Sequence, residues 1–260
     1  MCLLIFAHRA CPRFPLLVAA NRDEFHARPT ATAQFWEDYP QVLAGRDLEQ
    51  GGTWMGVTRN GRFAAITNYR DPARSAPAPR SRGELPLSYL VGALSPEAYL
   101  EQLQASAQEY AGYNLLLGDG DHLWYFSNSG MPGSNQPRQL EPGVYGLSNA
   151  QLDTPWPKVS LGKDKLQALL QGAYIPDHDG LCDLVGDRLP ADPALLAHQG
   201  LGGEMDQLLS SQFITAGGYG TRSCTSMWYD NNGVCRWREL SFNAAGELCN
   251  TWQTRFARSG

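Results

Sequence analysis

The residues best suited to chemistry lie at the very start of the chain. Cys2 directly follows Met1, and methionine aminopeptidases remove Met when the next side chain is small. Removal of Met1 would leave a thiol and an α-amine on one residue, with reference pKa values of about 8.5 and about 7.7–8.0. Because a neutral amine can accept the thiol proton near neutral pH, we expect Cys2 to be a nucleophile with its own general base.

Four consecutive polar residues end the next strand-like segment. Residues 16–20 are apolar, and the residues that follow them are Asn21-Arg22-Asp23-Glu24. If the two segments pair as a hairpin, this polar end lies near Cys2, where one carboxylate can hold and orient the α-ammonium. A strand that ends in four polar residues has no packing rationale. The alternative is that Cys2 merely belongs to an apolar first strand.

Three more polar residues stand at predicted strand ends. Asn68 and Asn149 each close a strand, and Arg222 follows a glycine-rich turn. Acyl transfer from an amide needs a nucleophile, a base and donors for the developing oxyanion. An Asn amide can be such a donor, whereas Arg222 could lower the thiol pKa or hold a substrate carboxylate. Each Asn could equally be a turn residue, and Arg222 an exposed strand residue.

Composition and charge narrow the class of protein. The chain has 260 residues, of which 43% are hydrophobic and 18% charged, so we expect one globular domain spanning residues 1–260. The formal net charge is −5 and there is no basic stripe, which argues against a nucleic-acid partner. No apolar run is long enough for a membrane span, and residues 1–7 lack the features of a signal peptide. The expected partner is a small molecule, with the oligomeric state left open.

The cysteines and histidines carry no metal or triad motif. The six cysteines lack CxxC and CxxH spacing, so we expect no metal, no cofactor and mostly free thiols in the cytoplasm. There is no GxSxG motif, and the histidines are scattered at surface or core positions: His8, His26, His122, His178 and His198. One hypothesis for the remaining thiols is a redox-sensitive structural role. These thiols belong to Cys11, Cys182, Cys224, Cys235 and Cys249.

The elements that must position these residues are strands at both ends of the chain and helices between them. Alternation and turn signals, including Asn60-Gly61, predict strands at 1–8, 16–22, 53–58, 62–69, 113–117, 122–127, 143–148, 213–216, 221–229, 234–241 and 248–256. Helices are predicted at 86–94, 96–110 with Ser95 as N-cap, 158–171, and twice within 177–210. Residues 31–44 are predicted to be irregular, with Trp36 and Tyr39 as packing anchors. This order predicts an α+β fold with antiparallel sheets.

Several motifs occur together in the order found in one known family. They are Met1-Cys2-Leu3-Leu4, Asn21-Arg22-Asp23-Glu24, Gly45-Arg46-Asp47 with Gly51-Gly52-Thr53-Trp54-Met55-Gly56, Thr67-Asn68-Tyr69-Arg70, Gly146-Leu147-Ser148-Asn149 with Asp153-Thr154-Pro155-Trp156-Pro157-Lys158, and Tyr219-Gly220-Thr221-Arg222. The sequence thereby resembles the NRDE family, also called the Transport and Golgi organisation protein 2 family, which is similar to N-terminal nucleophile hydrolases. The resemblance implies a four-layer αββα sandwich with two antiparallel sheets flanked by helices.

The same resemblance implies roles for individual residues. Compared with choloylglycine hydrolases and penicillin V acylases, Cys2 matches the nucleophile, and Asn21 and Asp23 match an Asn and Asp of their Arg-Asn-x-Asp stretch. Asn68, Asn149 and Arg222 match their remaining catalytic residues. The Arg of that stretch falls on Ala20 here, and Arg22 lies two positions later on the same strand face. Substrate contacts are expected from Asn21, Arg22, Glu24, Arg46 and Trp54.

Two functions follow as expectations from this resemblance. The first is hydrolysis of a linear amide or thioester through an acyl-Cys2 intermediate. The second is binding or trafficking of haem or of an acyl-CoA-like or lipid-like ligand on the same scaffold, without turnover. A covalent adduct on Cys2 would distinguish the first from the second.

Overall fold

Two antiparallel sheets stacked face to face form the centre of the molecule. The computed structural model describes residues 2–70, 78–131, 133–172 and 176–259, except for the side chain of Cys2. Each sheet has seven strands, and helices cover the two outer faces. The predicted α+β fold with an αββα layer order is therefore confirmed.

Sheet A contains the two ends of the chain. Its strands are β1 (Cys2–Cys11), β2 (Phe14–Phe25), β10 (Gly143–Leu147), β11 (Thr215–Ala216), β12 (Tyr219–Tyr229), β13 (Val234–Phe242) and β14 (Leu248–Ala257). They lie side by side in the order β10-β1-β2-β12-β13-β14, with β11 paired to β12. The first two strands pair as the sequence predicts, although both extend further than expected.

Sheet B is a meander of consecutive strands. They are β3 (Thr30–Phe35), β4 (Val42–Asp47), β5 (Met55–Thr58), β6 (Phe63–Asn68), β7 (Tyr113–Gly118), β8 (Leu123–Ser127) and β9 (Arg138–Gln139). The prediction that residues 31–44 are irregular is wrong, because β3 and the start of β4 pair there. Trp36 is a buried anchor as predicted, and Tyr39, although 40% exposed, packs its ring against Trp36 with the ring centres 6.3 Å apart.

The helices agree only in part with the predictions: those predicted at 86–94 and 96–110 end earlier, the one predicted at 158–171 is found, and residues 177–210 contain three helices instead of two. The helices are α1 (Glu84–Val91), α2 (Pro96–Gln104), α3 (Pro157–Gln171), α4 (His178–Asp183), α5 (Pro193–His198) and α6 (Glu204–Leu208). Helix α2 begins as predicted, since Ser95 Oγ accepts the Ala98 N–H at 3.2 Å and Pro96 occupies the first turn. No helix of the described residues is long and apolar enough to cross a membrane.

Three hydrophobic cores hold the four layers together. The core between the sheets joins Leu4 and Phe6 of β1 to residues of sheet B such as Val57. The second core packs α1 and α2 against the outer face of sheet B. The third packs α3 and α4 against the outer face of sheet A, including Leu3 and Ile5 of β1. Alternate residues of β1 and β2 therefore face either the other sheet or the helices.

Candidate active site

The backbone of Cys2 lies at one end of sheet A, between β2 and β10. Cys2 is paired with Arg22 across β1 and β2, and Leu4 is paired with Leu147 across β1 and β10. Continuing that second register by two residues brings Asn149 level with Cys2. The side chain of Cys2 lies outside the described residues, so its backbone alone locates it. Four of the predicted site residues therefore lie at one end of the sandwich: Cys2, Arg22, Asp23 and Asn149.

Asp23 is buried under the helical layer of sheet A. Asp23 is only 2% exposed, and Thr221 Oγ donates a hydrogen bond of 2.7 Å to Asp23 Oδ1. Burial raises the pKa of Asp23, while the hydrogen bond from Thr221 and nearby positive charges, including Lys158, lower it. A positive charge placed beside Asp23 would therefore stabilise its ionised form.

A buried lysine and a buried amide complete this polar layer. Lys158, at the start of α3, is 4% exposed and donates to the Leu209 carbonyl at 2.9 Å. Asn21 points to the same side and donates to the carbonyls of Val185 and Gln212 at 2.7 and 2.9 Å. These contacts tie β2 to the segments that follow α4 and α6. They give Asn21 a structural role in positioning Asp23.

Arg22 lies on the other face of β2, between the two sheets. It is 6% exposed, and its guanidinium carbon is 4.2 Å from the centre of the Trp54 ring, a cation–π distance. Its Nη1 donates to Thr30 Oγ at 3.2 Å, and its Nη2 is 4.0 Å from Glu24 Oε2. Trp54 packs in turn on the backbone of Gly45, where a Cβ would come within 2.3 Å of the ring. The ring of Trp54 therefore leaves no room for a side chain at position 45.

The space beside Arg22 is small. The cavity has a volume of about 10 Å³, room for about one water molecule, and its lining includes Leu4, Ala20, Arg22 and Trp54. Ala20 and Arg22 do share a face, as the strand period requires. A substrate acyl group would need Arg22 or Trp54 to move before it could enter from this side.

Glu239 is a site residue that the sequence predictions missed. It lies on β13 between the sheets, is 2% exposed, and its Oε1 accepts the Ala33 N–H at 2.8 Å. Burial raises the pKa of Glu239 to about 7, although Arg22 and the hydrogen bonds from Ala33 and Thr225 lower it. The sequence does contain a signal for this residue. Glu239 follows Cys235 and Trp237 at every second position of a predicted strand, which indicates a carboxyl group on the same buried face.

Asn149 and Asn68 join the ends of the two sheets. Asn149 is 2% exposed and its Nδ2 donates to the Asn68 carbonyl at 2.8 Å, while its own carbonyl accepts the Arg70 N–H at 2.8 Å. The side-chain amide of Asn68 makes no hydrogen bond within the described part of the chain and is half-buried. Asn68 can therefore donate both amide N–H groups, whereas one N–H of Asn149 is already engaged.

A second polar cluster, also missed, fixes the loop that carries Asn149. Asn114 is fully buried and its Nδ2 donates to Thr67 Oγ and to the Ala150 carbonyl at 3.0 and 2.9 Å. Tyr125 donates to Asn114 Oδ1 at 2.8 Å. Thr67 Oγ donates to the Ser148 carbonyl at 2.7 Å. This network holds the end of β10 against sheet B and so fixes the position of Asn149.

The remaining predicted site residues are engaged elsewhere. Arg222 donates to the carbonyls of Phe25 and Arg28 at 2.8 and 3.0 Å, which holds the turn after β2. Arg46 forms a bidentate pair with Asp38 at 3.0 and 2.8 Å and stacks on Trp36. Their contacts give both arginines structural roles, and a direct role in chemistry stays a prediction.

Two solved structures are similar to this four-layer sandwich over most of its length. Among solved structures, the chain is similar to a Caenorhabditis elegans N-acylethanolamine-hydrolyzing acid amidase (NAAA) ortholog, with 9% identity, a TM-score of 0.46, and coverage of 86% of this chain and 92% of that one. It is also similar to the C2A mutant of a conjugated bile acid hydrolase from Clostridium perfringens, with 11% identity, a TM-score of 0.44, and coverage of 100% and 98%.

The sequence comparisons identify the family. The model of the Transport and Golgi organisation 2 family matches residues 1–244, and the chain belongs to that family. The Homo sapiens Transport and Golgi organization protein 2 homolog is 35% identical over 278 residues, which cover 98% of this chain and 97% of that protein. The Drosophila melanogaster Transport and Golgi organization protein 2 is 28% identical over 195 residues, or 66% of this chain and 65% of that protein.

Proposed function

We propose that the protein is an N-terminal nucleophile hydrolase that cleaves a linear amide or thioester through Cys2, after removal of Met1. The observation that supports this is the place of the Cys2 backbone, opposite Arg22 and at the end of the sheet where Asp23 is buried. A buried carboxylate is costly unless a positive charge or hydrogen bonds compensate it. The α-ammonium group formed on Cys2 would be such a charge.

The chemistry proposed for these residues begins with proton transfer from the Cys2 thiol to its own α-amine. The thiolate attacks the substrate carbonyl carbon, a C–S bond forms and the carbonyl oxygen becomes an oxyanion. Asn68, whose amide is free to donate, stabilises that oxyanion together with the remaining N–H of Asn149. The C–N or C–S bond to the leaving group then breaks, and the leaving group receives the proton held by the ammonium.

Deacylation uses the same groups with water as the nucleophile. The α-amine takes a proton from water and hydroxide adds to the acyl carbon. The C–S bond then breaks and releases the carboxylic acid, and the departing Cys2 thiolate takes the proton back from the ammonium. Asp23 favours the ammonium form in both halves of the reaction, because its negative charge stabilises the adjacent positive charge. In this proposal Asp23 is a positioning residue, since it acts through the amine and not on the substrate.

The test is mass spectrometry of the intact protein before and after treatment with an activated acyl ester. We expect the untreated chain to be lighter than the full sequence by one methionine, and the treated chain to carry one acyl group on Cys2. Cys2→Ala should lose this adduct, whereas the control Cys249→Ala, which removes an exposed thiol, should keep it. Retention of Met1, or an adduct that survives in Cys2→Ala, would refute the proposal.

A second candidate function is binding without turnover, with haem or an acyl-CoA-like or lipid-like molecule as the ligand. The observation that favours it is Ala20, which stands where the related acylases carry an arginine, so the Cys2 thiol has less activation than in those enzymes. A chain that retains Met1, forms no adduct and binds such a ligand stoichiometrically would support this function.

For either function we propose the cytoplasm as the location, because the five cysteines whose side chains are described are free thiols.

A further inference from the structure

Two thiols meet where helix α4 packs against strand β12 on the outer face of sheet A. Cys182 lies on α4 and Cys224 lies on β12, and both pack in the core between that sheet and its helices. Cys182 is partly exposed to solvent, whereas Cys224 is 4% exposed. One thiol is therefore open to a small reagent, and the other is screened by the helix. Neither takes part in the chemistry proposed for Cys2.

The register between the helix and the strand places these thiols opposite each other. His178 Nδ1 and Ser226 Oγ are 2.8 Å apart in a hydrogen bond between α4 and β12. Cys182 follows His178 by four residues, so it lies on the same helix face about 6 Å further along. Cys224 precedes Ser226 by two residues, so it lies on the same strand face about 7 Å away. The two steps nearly match in length, and the two thiols form a hydrogen bond with each other.

A guanidinium group favours the ionised form of the more exposed thiol. Arg238, on β13, donates from Nη2 to Cys182 Sγ at 3.7 Å and pairs through the same nitrogen with Asp179 at 2.6 Å. The hydrogen bond with Cys224 and the contact with Arg238 lower the pKa of Cys182 to about 6, although burial raises it. At neutral pH Cys182 is therefore mainly a thiolate, which is the form of cysteine that peroxides oxidise.

We propose that Cys182 is a site of oxidation by hydrogen peroxide, and that Cys224 converts the product into a Cys182–Cys224 disulfide. The Cys182 thiolate attacks one peroxide oxygen, an S–O bond forms and the O–O bond breaks. The peroxide is reduced to hydroxide, which takes up a proton as water, and Cys182 becomes a sulfenic acid. The Cys224 sulfur then attacks the Cys182 sulfur, an S–S bond forms, and the S–O bond breaks as hydroxide leaves with the Cys224 proton as water.

The first step prepares Cys224 for the second. The hydrogen bond with Cys182, burial and the charge of the Cys182 thiolate raise the pKa of Cys224. Conversion of that thiolate to a neutral sulfenic acid removes the charge, so the proton of Cys224 becomes easier to lose. Because the cytoplasm reduces disulfides, the bond would be a reversible modification there. The site would be present whether or not the protein is a hydrolase.

Peptide mass spectrometry after treatment with hydrogen peroxide tests the proposal. Every sample carries Cys2→Ala, so the result does not depend on the hydrolase function. After alkylation of the remaining thiols in denaturant, we expect two peptides joined through Cys182 and Cys224, which dithiothreitol should separate. Fragmentation of the joined peptides distinguishes Cys224 from Cys235, because these two cysteines share one tryptic peptide.

Two further substitutions separate the steps of the reaction. In Cys224→Ala the disulfide should be absent, and dimedone should label the sulfenic acid that persists at Cys182. Arg238→Gln should slow oxidation of Cys182 at about pH 7 by at least about threefold, because loss of the guanidinium raises the pKa of the thiol. Arg236→Gln, on the same strand, is the matched control and should react at the rate of the parent protein.

Three results would each overturn the proposal. The first is oxidation of the exposed Cys249 while Cys182 remains alkylatable. The second is a Cys182 that is oxidised while Cys224 stays a free thiol. The third is the same rate of Cys182 oxidation in Arg238→Gln as in Arg236→Gln.

Discussion

The protonation of Glu239 should be visible in the stability of the whole protein. Glu239 is 2% exposed between the two sheets, and burial raises its pKa from the ordinary value of 4.5 to about 7. Because the folded state then binds more protons than the unfolded state, the free energy of unfolding falls as pH rises from about 4.5 to about 7. Below this window both states are protonated, and above it both are ionised.

The size of the effect follows from the two pKa values. Each unit of difference corresponds to about 1.4 kcal/mol, so ionisation of Glu239 should cost about 3 kcal/mol of stability across the window. Glu239→Gln has nearly the same shape, keeps an oxygen that accepts the Ala33 N–H, and does not titrate. Its stability relative to the unchanged protein should therefore rise by about 3 kcal/mol between about pH 4 and about pH 8.

Urea denaturation followed by tryptophan fluorescence across this pH range measures the difference. The control is Glu101→Gln, which neutralises an exposed carboxylate on α2 and should leave the pH profile unchanged. If the stability difference between Glu239→Gln and the unchanged protein is the same at every pH, Glu239 does not titrate in this window. The account of its environment, including the influence of Arg22, would then be wrong.

Two other perturbations test the packing and the thiols. Gly52→Ala should lower the free energy of unfolding by about 1–3 kcal/mol, because the new Cβ would lie 2.4 Å from neighbouring backbone; Gly202→Ala, with open space around its Cβ, should change it little in the same urea titration. A hydrogen bond with Cys224 and a nearby guanidinium lower the pKa of Cys182, so iodoacetamide should alkylate Cys182 faster than the exposed Cys249 at about pH 7. Equal rates in peptide mass spectrometry would contradict this.

Features set by neighbouring residues in the sequence could be predicted. The Asn60-Gly61 turn joins β5 and β6, and Gly61 has the positive φ that such hairpin turns require. The N-cap at Ser95 is likewise local, because its Oγ accepts an N–H only three residues later. In both places the side chain and its partner lie within one turn, so the sequence contains the whole interaction.

Strands β3 and β4 could not be predicted in the same way. Although they pair with each other, part of their stability comes from a partner distant in sequence, since the Ala33 N–H donates to the carboxylate of Glu239 on the other sheet. Strand preference reflects packing against such partners more than the backbone preference of each residue. The same reason explains why Lys158 was not predicted as a neighbour of Asp23, since α3 and β2 meet only in the folded protein.

The four polar residues near the end of β2 are adjacent in the sequence, but the alternation of the strand places them on different faces. Asp23 faces the helical layer with Thr221, whereas Arg22 faces sheet B with Trp54. A group that lies in the plane of the sheet can be influenced from both faces, and the backbone nitrogen of Cys2 is such a group. We therefore expect Asp23→Asn to change the pH dependence of acylation through the amine. We expect Arg22→Met to change the choice of substrate and to shift that pH dependence less, because the charge of Arg22 is the smallest of the named influences on Asp23.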